Sequence, residues 1–276
     1  MIMHNNLKQA ILERKVLKII SGINNFDLKN IINIINAAHI SKATYIDIAA
    51  NEILIKEIKN LTNLPICVST IDPSIIYKCI AAGADLIEIG NYDQFYKNNI
   101  LFTTNRILLI TAEIRSLFPE ITLCVTIPHY FSIQEQIYLA KQLAKLKVNV
   151  LQTEGISSQL GLDRNCTSNL SKNVLNASAT LSMTLAIAEV TSIPIITASG
   201  INQSNANIAL QYGACGVGVG SCINKLNNLS QMISMIKIIK SNLDTHSNHA
   251  ITYGNNFLSS VPKSSSKKPI VKHCEV

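Results

Sequence analysis

Four charged side chains sit where an apolar chain has little reason to place them. Lys18, Asp47, Glu88 and Glu154 fall within or at the ends of short β-branched runs, and Gln152 precedes Glu154 by one apolar-run residue. An unpaired ion in such a run costs several kcal/mol, so each of these groups needs a partner or a task. Lysine beside carboxylates is an acid–base group whose proton affinities are moved by burial and mutual charge. Lys18 is mid-run and is expected to point inward, with a carboxylate for a partner. Glu88 and Glu154 end their runs and are expected to reach the mouth, with Asp47 one or two residues deeper. Two other readings stand beside this one: a closed structural ion cluster of Lys18, Asp47 and Glu88, or a buried lysine acting as a Schiff-base nucleophile. His129 directly follows a further run, where an imidazole can exchange protons near neutral pH or contact a ligand. A loop histidine with no such task is an equal reading.

Glycines supply the second signal. One run ends Ala198-Ser199-Gly200-Ile201, and the next reads Gly216-Val217-Gly218-Val219-Gly220-Ser221. Glycine lets backbone approach an anion, successive N–H groups cradle it, and a helix N-terminus behind the loop adds a favourable field. Ser199, Gly200, Gly218, Gly220 and Ser221 are therefore the expected phosphate-binding set. Asn91 and Gln152 are expected substrate contacts, and Asn202 and Ser204 candidate caps of the intervening helix. Tight strand–helix packing is the competing reason for these glycines.

These residues are spaced by a repeating unit. Apolar runs at Val16–Ser21, Thr44–Ala49, Ile66–Thr70, Leu86–Gly90, Leu123–Pro128, Val148–Thr153, Pro194–Ser199 and Cys215–Gly220 alternate with amphipathic stretches such as Leu28–Ala38, Asn51–Leu61, Pro73–Ala82 and Ile133–Leu146. Eight strand-plus-helix units match a (β/α)8 TIM barrel, which takes about 250 residues. Gly83 and Gly213 stand where helices should stop, and Asp72-Pro73 reads as a helix cap with proline at the first helical position. Asn91–Pro119 reads as an extended loop followed by a helix over Arg106–Phe118, and Gly155–Ser171 as a long loop. Long loops after strands lie on the catalytic face of this fold. A doubly wound sheet would need a glycine-rich turn after its first strand, and Gly22 there stands alone. The α/β barrel is placed at 1–241, with a flexible, basic tail over 242–276.

The Ser-Gly-Ile ending, the helix, Tyr212-Gly213-Ala214 and the Gly216–Ser221 run resemble the phosphate-binding barrels that include thiamin phosphate synthase and N-acetylmannosamine-6-phosphate epimerase. One departure is that Gly200 is single where many of those proteins carry a glycine pair. Ile20–Asp27, Tyr45–Ala50, Ala84–Tyr92, Gln152–Gly155 and Gly216–Ser221 more closely resemble a hypothetical reading-frame family, number twenty-three, of algal plastids and cyanobacteria. That resemblance spans roughly residues 15–230. It implies a barrel and a plastid location, taken as the stroma, and carries no catalytic assignment.

Composition narrows the rest. Of 276 residues, 47% are apolar and 15% charged, which excludes general disorder. The 44 Ile and 29 Asn point to an A/T-rich genome, so a single Asn or Ile carries little weight. The net charge of +7 is scattered, with neither a basic stripe nor interleaved aromatics, so no nucleic-acid partner is expected. No run is long enough for a membrane span. Seven widely spaced cysteines without a Cys-x-x-Cys point to a reducing compartment. His246 and His249 lack further ligands nearby, so no metal site is expected; neither a cofactor nor the oligomeric state is legible. The expected partner is a phosphorylated small molecule, with isomerase, lyase or condensing chemistry on it. The rival is a non-catalytic sensing or scaffold barrel. Convergence of Lys18, Asp47, Glu88 and Glu154 on one open pocket would favour the enzyme, and internal pairing the rival.

Overall fold

Parallel strands buried on both faces are continuous apolar runs, and each of the eight runs forms one. They are β1 (Val16–Ile20), β2 (Tyr45–Ile48), β3 (Ile66–Ser69), β4 (Leu86–Ile89), β5 (Thr122–Ile127), β6 (Val150–Thr153), β7 (Ile195–Thr197) and β8 (Gly216–Val219). In the computed structural model they close a barrel in sequence order, with β8 pairing back to β1 through Lys18 and Gly218. The described residues are 3–90, 92, 101–155 and 169–257, with backbone alone at 169–176 and 246–257. Asn91, Cys166, Cys274 and most of the two long loops lie outside them.

Helices α1 (Asn5–Leu12), α2 (Leu28–Ile40), α3 (Glu52–Lys59), α4 (Pro73–Ala81), α5 (Thr104–Leu117), α6 (Ile133–Lys145), α7 (Asn169–Ala188), α8 (Ala206–Gln211), α9 (Ser221–Asn224) and α10 (Leu229–Phe257) connect and cover the strands. Their starts are chemically marked. Asp72 accepts from Ser74 N–H with Pro73 in the first turn, Asp27 accepts from Lys29 and Asn30, and Ser132 and Glu135 form a reciprocal capping box. No helix among the described residues is long and apolar enough to cross a membrane.

Side chains alternate along each strand. Leu17, Ile19, Ile46, Ile48, Val68, Ile87, Leu151 and Val217 belong to the core formed with the helices. Val16, Tyr45, Cys67, Leu86, Cys124, Val150 and Ile196 form a separate cluster, joined by Leu7 of α1. Helix α1 thus stops the N-terminal end of the barrel. It was not legible beforehand, because only Leu7 of its eight residues is buried.

The tail boundary at 241 is corrected. Helix α10 continues through Phe257, and Leu243 is fully buried, completing the apolar row Met232, Ile236, Ile239, Leu243. Asn242 Nδ2 donates to Gln203 O at 2.7 Å, and Asp244 lies 3.8 Å from Lys15 Nζ. Leu243 is the single apolar residue of 242–249, too little to show a helical period in a polar stretch.

Candidate functional site

Two residues beyond the lower interior layer, strands β1 to β6 turn polar: Lys18, Asp47, Ser69, Glu88, Thr126 and Gln152 follow Val16, Tyr45, Cys67, Leu86, Cys124 and Val150. They meet. Lys18 Nζ lies 2.8 Å from Asp47 Oδ2, 2.5 Å from Glu88 Oε2 and 2.9 Å from Gln152 Oε1, one acceptor for each of its three donors. Gln152 Nε2 and Thr126 Oγ1 donate to Glu88 Oε1 at 2.7 and 2.9 Å, while Ser69 Oγ donates to Asp47 at 3.0 Å. Every member is buried, from Lys18 at 0% exposure to Gln152 at 6%.

Burial alone would lower the Lys18 pKa, but Asp47 and Glu88 together hold it well above the ordinary lysine value. A protonated ammonium with three bonds has no lone pair for a carbonyl carbon, so the Schiff-base reading is not supported. Burial pushes the Asp47 carboxyl up, Lys18 pulls it down, and it comes to rest at about 6. The Cys67 and Cys124 thiols are raised well above their usual value, first by burial, and are not thiolates. Oxygen or sulfur atoms of Asp47, Cys67 and Glu88 lie within 4.8 Å of one another, but the Lys18 ammonium is already the cation between the two carboxylates.

Glu88 is therefore deeper than its place near a strand end suggested. It shares Lys18 with Asp47 because the two carboxylates hold the same place, third in β4 and in β2, two residues beyond Leu86 and Tyr45. Gln152, expected as a ligand contact, spends both ends of its amide inside this layer.

Glu154 and His129 are a separate pair at the mouth. Glu154 Oε1 accepts from the His129 backbone N–H at 3.0 Å and lies 3.0 Å from Nδ1. Their side chains are 11% and 12% exposed, against 0–3% for the ions below. Thr153 is paired with Thr197, and Ala198 N–H donates to Thr153 O at 3.1 Å, so Glu154 emerges beside Ala198 and Ser199. The four charged groups accordingly pair off in two sets.

Ser199 is in the left-handed backbone region, with φ 68°, and Gly200 follows at φ 71°. The other described non-glycine residues with positive φ, Arg14, Lys42 and Lys147, each come one residue after a helix C-cap, where that conformation is ordinary. Ser199 instead follows a strand. A side chain held there costs of order 1–3 kcal/mol, the kind of strain that collects at ligand clamps. The loop is braced: Asn205 Nδ2 donates to Gly200 O at 3.0 Å, and Asn202 N–H to Asn205 Oδ1 at 2.8 Å. Asn202 Oδ1 accepts from Ser204 N–H, closing the turn rather than capping the helix. Asn205 is the N-cap of α8, and neither it nor Gly220 before α9 gives its helix a side-chain cap bond.

The glycines in and after β8 are closely packed, and a Cβ on Gly220 would stand 3.2 Å from Ile20 O. A Cβ on Gly218 would stand 3.1 Å from Ala198 Cβ and 3.3 Å from Ile20 Cδ1, so interior packing accounts for glycine there. Gly220 and exposed Ser221 lie at the mouth. Ser69 and Thr126 were missed from the sequence. Their signal was the shared two-residue step from lower to middle layer.

Residues 3–249 match the family described as "Protein of unknown function (DUF561)". The chain belongs to that family. It is 42% identical over 238 residues to the "Uncharacterized protein ycf23" of Antithamnion sp., covering 84% of this chain and 86% of that one. With the protein of the same description from Cyanophora paradoxa it is 36% identical over 244 residues, covering 88% and 98%. Among solved structures, thiamine phosphate pyrophosphorylase from Pyrococcus furiosus superposes with TM-score 0.55 at 14% identity, over 85% of this chain and 98% of that one. A 3-hexulose-6-phosphate synthase gives TM-score 0.57 at 12% identity, over 82% and 99%. At these identities the likeness concerns the fold.

Proposed function

We propose that this family member binds a phosphorylated small molecule at the C-terminal mouth of its barrel. The phosphate rests on the backbone of Ser199, Gly200, Gly220 and Ser221, above the closely packed Gly218. The observation that carries this reading is the left-handed pair Ser199–Gly200 at the end of β7, strained where no helix end requires it. Loops after strands seven and eight, with a short extra helix behind them, are a recurrent phosphate site in barrels, and α9 after Gly220 is such a helix. The names of two proteins sharing the fold, thiamine phosphate pyrophosphorylase and 3-hexulose-6-phosphate synthase, include a phosphate. The reaction proposed is isomerisation, cleavage or condensation of a phosphate ester.

A non-catalytic sensing barrel is the second reading, favoured by the closed pairing of Lys18, Asp47, Glu88 and Gln152. In either case the proposed location is the plastid stroma. Supporting it is the reading-frame name borne by the relatives from Antithamnion sp., Porphyra purpurea and Cyanophora paradoxa. The test is to screen the purified chain against a small-metabolite extract and identify retained compounds by mass spectrometry. Enrichment of phosphate esters over their dephosphorylated forms is expected; equal retention contradicts the proposal.

A further inference from the structure

A strained backbone persists only where its surroundings over-determine it, so the left-handed Ser199 needs holding on both sides. After it, Asn205 Nδ2 grips Gly200 O. Before it stand four threonines: Thr153 at the end of β6, Thr197 at the end of β7, and Thr180 and Thr184 one turn apart on α7, each fully buried. Two residues earlier the same strand faces carry Leu151 and Ile195, both in the apolar core with the helices. Valine has the branching of threonine and would fill this space with no polar group to satisfy, so the four hydroxyls need an account.

Their hydrogen bonds close on themselves. Thr184 Oγ1 donates to Thr180 O at 2.8 Å. Having spent its one proton, it accepts from Thr197 Oγ1 at 2.7 Å and from Thr153 Oγ1 at 3.0 Å. That leaves Thr180 Oγ1 as the donor to Thr153 Oγ1 at 2.7 Å. Each hydroxyl proton makes one bond, and Thr184 uses its proton and both lone pairs. Thr153 and Thr197 are register partners, and the Ala198 N–H donates to Thr153 O at 3.1 Å. The bracket therefore grips β7 at Thr197 and at Ala198, the two residues immediately before Ser199.

We infer that Thr184 and Thr197 are positioning residues of the phosphate loop, holding the end of β7 so that Ser199 keeps its left-handed backbone. This rests on the phosphate reading of that loop. Thr184 ties α7 to both strands at once, and a fully satisfied buried network admits one arrangement of the groups that make it. Among the described residues the Thr197 hydroxyl bonds Thr184 alone, so without the Thr184 hydroxyl its proton has no acceptor and the end of β7 is released. Thr180 differs. Its hydroxyl bonds Thr153 at the same 2.7 Å and does not touch β7.

The test measures inorganic phosphate binding by isothermal titration of the full chain. Thr184→Val and Thr197→Val should each weaken binding at least about fivefold. Thr184→Ser, which keeps the hydroxyl, and Thr180→Val, which removes an equally short bond away from β7, should stay within about twofold of the wild type. Thr180→Val and Thr197→Val each lose one hydroxyl bond and should melt alike, so a difference in affinity between them is not one of folding. Thr197→Val carries the test if Thr184→Val does not fold. In protein labelled with 13C and 15N, the Ser199 backbone shifts, which report φ, should leave the left-handed range in Thr197→Val and keep it in Thr180→Val. Phosphate binding or Ser199 shifts unmoved by Thr197→Val, or affinity weakened equally by Thr180→Val, overturns the positioning role and leaves the phosphate reading standing. No phosphate binding by the wild type overturns the phosphate reading, and the assigned role with it.

Discussion

Lys18 and Glu88, 70 residues apart in the chain, meet at 2.5 Å inside the barrel. The same ammonium reaches Asp47 at 2.8 Å, so one buried cation serves two carboxylates. Removing one partner of a buried ion pair is far costlier than never having built it, because the other is left charged in a medium that solvates it poorly. Lys18→Met should therefore cost roughly 3–5 kcal/mol in denaturant unfolding. A near-neutral result would mean that water reaches the layer and that its closure is wrong.

Asp47 gives the layer a pH signature. Burial, opposed by Lys18, raises its folded-state pKa from 3.8 to about 6. A carboxyl whose proton is held more tightly in the folded state adds stability that is fully present below its unfolded pKa. That stability is lost as pH rises through the folded value. The wild type should thus lose stability relative to Asp47→Asn between about pH 4 and pH 6, measured as the difference between their unfolding free energies at each pH. A difference that stays flat, or that grows in the wild type's favour with pH, contradicts the assignment.

Much of the barrel was legible because its strands are doubly buried. Sequence runs and observed strands differ by a residue or two at their ends, as at Thr44–Ala49 against Tyr45–Ile48. The site was only partly legible. Lys18, Asp47 and Glu88 stood out as charges in apolar runs, but their common place, third in each strand, depends on where the strands start, and the second run starts one residue early at Thr44. Ser69 and Thr126 are too ordinary in strands to attract notice singly. The strain at Ser199 had no sequence signal, since serine is not a residue that announces a left-handed backbone. Helix α1 was missed because it commits only Leu7 to the core, and the chain just past 241 because its apolar signal is Leu243 alone.

Leu243 tests where the folded chain stops needing its C-terminal helix. Fully buried at the end of the row begun by Met232, it should cost about 2–5 kcal/mol as Leu243→Ala. A chain ending after Thr245 keeps that contact, and its stability should stay within about 1 kcal/mol of the full length, the scale of surface changes. A large loss from the truncation alone would show that later residues dock on the barrel.

The most direct measurement of the central claim is inorganic phosphate binding by wild type and Ser221→Asp, followed by isothermal titration. Ser221 is exposed at the first position of α9, where aspartate suits the helix dipole and should leave the melting temperature unchanged. It also sets a negative charge where the phosphate is proposed to sit. Affinity should fall at least about tenfold, or 1.4 kcal/mol. Asn6→Asp, the same charge change in the first turn of α1 at the closed end of the barrel, should bind like the wild type. Equal affinity of wild type and Ser221→Asp, both folded, would contradict the phosphate site.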